Sequence, residues 1–258
     1  MYQNYIFDFY GTLVDIKTDE TQTFLWKKMA ELYRVYGVDY TPMELKKAYY
    51  HLCSSEEKEL KKQTGYHYPE ISLERIFAKL FYEGSNYHTT STIIDNIDDW
   101  QFHTANFFRV LSRQKLKPYA HTLRLLKQLK REKCNIFILS NAQKVFTLPE
   151  MEQSGILEYV NNVYISSQYK MKKPQREFLE TLIKKENINV ENSIFVGNEY
   201  ESDIAIAMAN QMQSILVNTS KYTSEERKKR LESIPNRNPL FDPYVISDGD
   251  IGKVIEVK

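Results

Sequence analysis

The N-terminal stretch YIFDFYGTLVD, residues 5–15, carries a mainly apolar run into an aspartate and then into a turn. Residues 5–9 are apolar or aromatic except for Asp8, and Gly11 follows closely. This pattern is typical of a buried strand that ends at a turn. Ligands of open parallel sheets bind at the carboxyl ends of the strands. The stretch therefore predicts a parallel α/β sheet whose first strand brings the Asp8 carboxylate to the ligand-binding edge.

The chain after residue 116 alternates between short apolar segments and amphipathic segments at helical spacing. Such alternation is typical of βαβ units, which build a parallel sheet covered by helices on both faces. The predicted strands are residues 135–139, 162–165, 193–196 and 214–217, with an edge strand at 244–247. The predicted helices are residues 121–130, 175–186 and 203–210. Residues 219–242 are charged and contain proline, so they are predicted to be the most loop-like region.

The region from residue 21 to residue 108 has a different pattern, in which charged and aromatic residues recur at helical spacing without a strand signal. Pro42 and Pro69 each follow a turn-prone stretch and are expected to open helices, with Thr41 and Glu70 as nearby start signals. The chain is therefore predicted to be an α/β protein with an inserted helical domain. The predicted domains are a core of residues 1–17 plus 116–258 and a helical insertion of residues 18–115.

The composition of the 258-residue chain is that of an ordinary globular protein, with 42% hydrophobic residues, 27% charged residues and a formal charge of +1. A charge this close to zero gives no general electrostatic attraction to nucleic acid or a membrane. No apolar run approaches the ~18 residues that span a bilayer. Cys53 and Cys134 stand in no metal-ligand spacing, and the N-terminus lacks a signal-peptide pattern. We therefore expect a cytoplasmic monomer or homodimer with reduced thiols and without nucleic-acid or membrane partners.

Polar residues follow four of the predicted strands, where the strands of a parallel sheet would bring them to one edge. They are Asp8 after the first strand, Ser140 and Asn141 after the second, Lys173 after the third, and Asn198 and Asp203 after the fourth. Each residue alone is ordinary, because aspartates end strands or cap helices and lysines lie in solvated charge runs. Their joint placement favours a site for an anion and a divalent metal, since carboxylate oxygens suit Mg²⁺ and lysine suits phosphate-like oxygens.

The same segments, in the same order, resemble the four motifs of the haloacid dehalogenase-like (HAD) hydrolase superfamily. Residues 7–15, FDFYGTLVD, resemble the first motif, and the stretch from 116–119 to LSNA at 139–142 resembles the second motif with its preceding helix. Lys173 with the following proline is similar to the third motif, and FVGNEYESDIA at 195–205 is similar to the fourth. The inserted helical region resembles the all-α cap of subfamily I, so the resemblance implies a Rossmann-like HAD core with a helical cap.

The resemblance implies a role for each of these residues. Asp8 is the expected covalent nucleophile, and the expected substrate is a small phosphorylated metabolite. The implied catalytic residues are Asp8, Tyr10 and Lys173. The implied substrate-binding residues are Thr12, Ser140 and Asn141. The implied ligands of Mg²⁺ are Asp8, the backbone carbonyl of Tyr10, Asn198 and Asp203.

Two positions depart from the pattern of the family's phosphatases. Tyr10 stands where these enzymes carry an aspartate that protonates the leaving group, and a phenol with a pKa near 10 is a poor substitute. Loss of a positioned acid typically costs about 10²–10⁴-fold in rate, although an acyl phosphate or a halide leaves without needing the proton. Asn198 stands where a metal-binding aspartate is usual, and its amide oxygen brings no charge to a Mg²⁺ ion.

These departures leave three functions open. The first is a Mg²⁺-assisted phosphatase that forms an aspartyl phosphate at Asp8. The second is a metal-free 2-haloacid dehalogenase, because this chain resembles those enzymes in carrying a tyrosine, Tyr10, two residues after Asp8. However, Leu179 stands where they carry a second tyrosine, six residues after the lysine that Lys173 resembles. Such dehalogenases also carry an arginine in the cap, for which Arg34 and Arg75 are the clear candidates. Neither lies at the expected place. The third is a binding or regulatory protein that keeps the fold with little turnover.

Overall fold

The computed structural model describes residues 1–84, 94 and 96–257. Six strands form one all-parallel sheet in the order β5-β4-β1-β6-β7-β8, and two further strands, β2 and β3, pair antiparallel beside it. The strands are β1 (Asn4–Phe7), β2 (Val14–Thr18), β3 (Arg113–Pro118), β4 (Asn135–Ser140), β5 (Asn162–Ile165), β6 (Ser193–Gly197), β7 (Gln213–Val217) and β8 (Tyr244–Ile246). The predicted α/β class with a parallel Rossmann-like core is confirmed.

The described part of the chain also contains ten α-helices. They are α1 (Thr23–Val35), α2 (Pro42–Thr64), α3 (Leu73–Gly84), α4 (Ile97–Ser112), α5 (Thr122–Arg131), α6 (Lys144–Gln153), α7 (Ser166–Tyr169), α8 (Arg176–Glu186), α9 (Ala205–Ala209) and α10 (Ser224–Glu232). None of the described helices is long and apolar enough to cross a membrane.

Strand β1 lies in the middle of the sheet and fixes the place of the site. Its residues are all buried, and it pairs with β4 on one side and with β6 on the other, so that Phe7 faces Ile138 and Val196 in register. The Asp8 amide continues this ladder by donating to the Val196 carbonyl at 2.9 Å. The residues that follow β1, β4 and β6 therefore leave the sheet at the same edge, as the strand-end argument requires.

Helices α1 to α4 enclose an apolar cluster separate from the clusters around the sheet, with aromatic rings packed edge-on or tilted against one another. Strands β2 and β3 connect this helical region to the core, with Ile16 opposite Leu116. The predicted boundaries at residues 17/18 and 115/116 fall inside these two strands. The two-domain division remains our proposal, and residues 85–93 and 95 of the predicted insertion lie outside the described residues.

Several local predictions differ from the structure for identifiable reasons. The predicted loop of residues 219–242 contains α10, which carries almost no apolar residue but begins with a capping box between Thr223 and Glu226. Helix α6 was missed because Pro149 lies inside it and its apolar residues follow no clear stripe. Pro42 opens α2 behind the Thr41 cap as predicted, whereas Pro69 forms a β-bridge with Met171 and opens no helix.

Helix α5 offers a matched pair of leucines for testing how the sheet is covered. Leu126 is fully buried in the cluster against the sheet, while Leu123 of the same helix is 39% exposed. We expect Leu126→Ala to lower the free energy of unfolding by about 2–5 kcal/mol, because a buried leucine leaves a cavity. Leu123→Ala should change it by about 0.5 kcal/mol or less. Urea unfolding followed by circular dichroism measures both, and equal losses would contradict this packing.

Candidate active site

Three charged side chains meet at the carboxyl edge of the sheet. The Lys173 ammonium lies 2.7 Å from Asp8 Oδ1 and 2.7 Å from Asp203 Oδ1, and all three residues are at most 6% exposed. A buried ammonium is costly unless carboxylates compensate its charge, and here two of them do so. The structure therefore brings together three of the residues that the sequence placed at separate strand ends.

Asp203 owes its position to the turn after β6. Its second oxygen, Oδ2, accepts hydrogen bonds from the backbone N–H groups of Asn198 at 2.9 Å and Glu199 at 3.0 Å. A side chain at Gly197 would collide with Asp203, so this approach requires glycine. The predicted helix of residues 203–210 begins earlier, as a π-helical turn at Tyr200–Ile204 that runs into α9. Both oxygens of Asp203 are thus engaged by protein donors.

The predicted substrate-binding residues also surround Asp8. The Ser140 hydroxyl donates to Asp8 Oδ1 at 3.3 Å. The Thr12 hydroxyl lies 3.4 Å from Asp8 Oδ2 and 3.0 Å from Asn198 Oδ1. Asn141 instead holds the backbone of Lys173, donating to its carbonyl at 3.0 Å and accepting from its N–H at 2.7 Å. Ser140 and Thr12 therefore contact Asp8 directly, while Asn141 fixes the loop that carries the lysine.

The charges of the site are shifted by burial and by one another. Burial raises the pKa of Asp8 to about 6, with the Asp203 carboxylate adding to the increase and Lys173 opposing it. Burial alone would lower the pKa of Lys173, but the two carboxylates outweigh it and raise the pKa above its ordinary value. Near neutral pH the site therefore holds a charged lysine between two carboxylates, and Asp8 is available as a nucleophile.

The amide of Asn198 has a fixed orientation. Its nitrogen donates to Glu199 Oε1 at 3.3 Å and lies 3.5 Å from Ser220 Oγ, so its oxygen faces Thr12 and the Asp8 side of the site. A flipped amide would set its oxygen against the Glu199 carboxylate, which can only accept. Gly11, at φ +83°, allows the close approach, because a Cβ there would lie 2.7 Å from the amide nitrogen. Glu199 therefore directs the amide oxygen toward Thr12 and the Asp8 side of the site.

The donors present fit a magnesium ion held by few protein ligands. Asp8 Oδ2 and Asn198 Oδ1 contact the same Thr12 hydroxyl and so face one place, and both are oxygen donors of the kind that Mg²⁺ prefers. Asp203 is turned away to Lys173 and the backbone. In the part of the chain that the structure describes, no group of three or more His, Cys, Asp or Glu side chains could hold a metal. Since Mg²⁺ often binds through one or two carboxylates plus substrate phosphate, two oxygens suffice for a site completed by substrate.

The Tyr10 hydroxyl belongs to a second buried network. It donates to Glu150 Oε2 in a short hydrogen bond and lies 3.2 Å from the Thr147 hydroxyl. Burial and the neighbouring Glu150 raise the pKa of Tyr10 above its ordinary value. Arg109 binds the Glu150 carboxylate through two nitrogens, at 2.7 and 2.9 Å, and Arg113 binds it at 2.8 Å. The phenol is therefore a structural donor within an ion-paired cluster.

Sequence reasoning missed Glu150, Arg109 and Arg113. The structure places Arg109 of α4 with its guanidinium carbon 5.3 Å from the centre of the Tyr10 ring. The choice of Arg34 and Arg75 as the clear cap arginines was incomplete, because Arg34 pairs with Asp39 on the surface and Arg75 is exposed. No local pattern marks Arg109, since its partner lies 41 residues away on a helix that carries a proline.

The loop between α2 and α3 docks onto the loop that carries Lys173. The Lys172 amide donates to the Tyr68 carbonyl at 2.9 Å, and the Glu70 amide donates to the Lys170 carbonyl at 3.1 Å. The buried side chain of Gln143 reaches the same segment, accepting from the Leu73 amide at 3.0 Å. The helical region therefore supports the lysine loop through backbone hydrogen bonds that the sequence pattern gave no reason to expect.

Comparison with known proteins identifies related sequences. A family model described as haloacid dehalogenase-like hydrolase matches residues 5–217. The chain is 24% identical over 111 residues to glyceraldehyde 3-phosphate phosphatase of Methanocaldococcus jannaschii, and 29% identical over 112 residues to that of Methanothermobacter thermautotrophicus. Each alignment covers 43% of this chain and 49% of the relative. The chain thus spans about half the length of the curated relatives it matches.

Solved structures with the same fold cover nearly the whole chain. L-2-haloacid dehalogenase of Xanthobacter autotrophicus superposes with a TM-score of 0.54 at 15% identity, covering 100% of this chain and 99% of its own. A protein of Thermotoga maritima described as a candidate β-phosphoglucomutase superposes with a TM-score of 0.54 at 14% identity, covering 99% and 100%. At these identities the likeness shows the fold alone.

The electrostatic coupling in the site predicts the effect of removing one carboxylate. Because Asp203 adds to the pKa of Asp8, Asp203→Asn should lower that pKa below about 6, so Asp8 would stay ionised at lower pH. Carbon-13 NMR titration of labelled aspartates measures the shift, and Asp8→Asn identifies the resonance. Asp250→Asn is the control, since Asp250 pairs with His121 near the surface. An Asp8 pKa that stays at about 6 or rises in Asp203→Asn would contradict the coupling.

Proposed function

Since the chain belongs to the haloacid dehalogenase-like hydrolases, we propose that it is a Mg²⁺-assisted phosphatase of small phosphorylated metabolites, working through an aspartyl phosphate at Asp8. The observation that carries the proposal is the buried Asp8 carboxylate, with the Lys173 ammonium at 2.7 Å and the Ser140 hydroxyl at 3.3 Å on the same oxygen. A nucleophile set among anion-binding donors suits attack on a phosphoryl group. The two curated relatives, both phosphatases, support the same reading.

The side chains present divide the work of phosphoryl transfer. Asp8, a carboxylate above pH about 6, would attack phosphorus. Lys173 uses two of its three N–H groups to donate to Asp8 and Asp203, and the third can donate to a phosphoryl oxygen. Ser140 can turn its hydroxyl from Asp8 to a second oxygen. A Mg²⁺ ion, held by Asp8, Asn198 and the Tyr10 carbonyl, would neutralise negative charge on the phosphoryl group.

Beryllium fluoride tests the phosphatase proposal, because it binds an aspartate carboxylate as a mimic of the phosphoryl group. We expect beryllium fluoride with Mg²⁺ to raise the melting temperature by about 5 °C or more, as a ligand bound only by the folded state does. Either component alone should have a much smaller effect. Asp8→Asn is the matched control and should show no shift. The absence of any shift in the unchanged protein would count against the proposal and favour a binding role.

Metal-free dehalogenation is a second candidate that two observations favour. Both oxygens of Asp203 are engaged by Lys173 and backbone N–H groups, which leaves Asp8 as the one carboxylate of the three-residue cluster free for a cation. The Tyr10 hydroxyl donates its proton to Glu150, which suits a reaction whose leaving group needs no proton. In this alternative Asp8 would attack a carbon atom, and halide would leave without a proton. An aspartyl ester would then be hydrolysed by water.

Halide release from the two enantiomers of 2-chloropropionate, measured in EDTA, separates the candidates. Because Asp8 attacks phosphorus rather than carbon under the phosphatase proposal, we expect release at the level of the Asp8→Asn control. Release well above that control, and unaffected by Mg²⁺, would replace the phosphatase proposal with the dehalogenase.

A further inference from the structure

We propose, on the basis of the phosphatase function proposed above, that the substrates of this site are acyl phosphates. In the described part of the chain, the side chains that hydrogen-bond to Asp8 include neither a carboxylic acid nor an imidazole that would protonate a leaving oxygen. An acyl phosphate releases a carboxylate, which leaves as a stable anion and needs no proton. Phosphate esters of ordinary alcohols release an alkoxide, which does.

Tyr10 lies at the position that could supply an acid, but its hydroxyl already donates to another residue. The Tyr10 hydroxyl points its single proton at Glu150, and Thr147 lies 3.2 Å from the same oxygen. Glu150 is held in turn by Arg109 through two contacts and by Arg113 through one, and it is only 2% exposed. Turning the phenol toward a substrate would leave this buried carboxylate without one of its donors. The geometry therefore keeps the proton of Tyr10 away from the nucleophile.

The other side-chain protons close to Asp8 belong to two hydroxyl groups and one ammonium group. Among the residues that the structure describes, the side chains that hydrogen-bond to the Asp8 carboxylate are Thr12, Ser140 and Lys173. Thr12 has one proton for its two acceptors, Asp8 and Asn198. Lys173 directs two of its three protons at Asp8 and Asp203 and keeps the third for a phosphoryl oxygen. None of the three is a carboxylic acid or an imidazole, the groups that usually transfer a proton to a leaving oxygen.

Phosphoryl transfer from an acyl phosphate balances without an added acid. Asp8 forms a bond to phosphorus while the bond between phosphorus and the substrate's carboxylate oxygen breaks, and the electron pair leaves with that oxygen. One carboxylate replaces another on phosphorus, and the leaving carboxylate is stable as an anion because an ordinary carboxyl group has a pKa of about 4. Water then attacks phosphorus, regenerates the Asp8 carboxylate and gives dihydrogen phosphate, which keeps both protons of the water.

A set of leaving groups tests this on the full-length, unaltered protein in Mg²⁺, with Asp8→Asn as the blank. Acetyl phosphate, 4-nitrophenyl phosphate, phenyl phosphate and glycerol 3-phosphate release progressively more basic oxygens, and the two phenyl esters have nearly the same shape. We expect kcat/KM to fall along this order, with acetyl phosphate favoured over glycerol 3-phosphate by at least about 10³-fold. Similar values for phenyl and 4-nitrophenyl phosphate, or for acetyl and glycerol phosphate, would overturn the inference and leave the phosphatase proposal standing. No Asp8-dependent turnover of any of the four would overturn both.

Two variants of Tyr10 differ only in the presence of an acid. Tyr10→Asp places a carboxyl group two residues after the nucleophile, and Tyr10→Asn places an amide of the same size there. If the missing proton limits the substrate range, Tyr10→Asp should hydrolyse glycerol 3-phosphate at least about tenfold faster than Tyr10→Asn. The ratio for acetyl phosphate should stay near one. Equal rates of the two folded variants with glycerol 3-phosphate would overturn the inference, and the substrate series on the unaltered protein stands whether or not these variants fold.

Discussion

The ammonium of Lys173, buried between two carboxylates, is the constraint on which the site depends. Removing a lysine from water costs several kcal/mol unless opposite charges and hydrogen bonds compensate, and Asp8 and Asp203 do so at 2.7 Å each. These residues come from the end of β1, from the loop after β5 and from the turn after β6. The three segments can meet only if the strands are parallel and in the observed register. The ion pairs of Asp8 therefore depend on the parallel order and register of the strands.

A second buried ion pair ties the helical region to this arrangement. Glu150 on α6 binds Arg109 of α4 and Arg113 of β3, and the same carboxylate accepts the proton of Tyr10. A tyrosine two residues after the nucleophile is thus explained by its role in closing this cluster. These contacts hold α4, β3 and α6 together around the Tyr10 hydroxyl, and residue 10 supplies no carboxylic acid beside Asp8.

The sequence was sufficient to predict the parts of the fold that local patterns determine. Apolar runs located the six strands of the parallel sheet but not the antiparallel pair β2 and β3. The strand-end argument with the family resemblance placed Asp8, Ser140, Lys173 and Asp203 at one edge of the parallel sheet. The Glu150 cluster could not be predicted, because its members are joined only by the tertiary fold. Helix α10 is different, since its capping box is a local signal that an argument from apolar spacing alone overlooks. The roles of the individual site residues remain proposals.

The two departures from the family's phosphatase pattern, Tyr10 and Asn198, both change the net charge around Asp8. An aspartate at Tyr10 and another at Asn198 would add two negative charges beside Asp8, whose pKa is already raised to about 6 by burial and by Asp203. With neutral side chains there, Asp8, Asp203 and Lys173 together carry one net negative charge, so a phosphate dianion meets less repulsion. The same change weakens the attraction for Mg²⁺, since the amide oxygen of Asn198 contributes only a dipole. A site of this charge would therefore bind its cation mainly together with the anionic substrate.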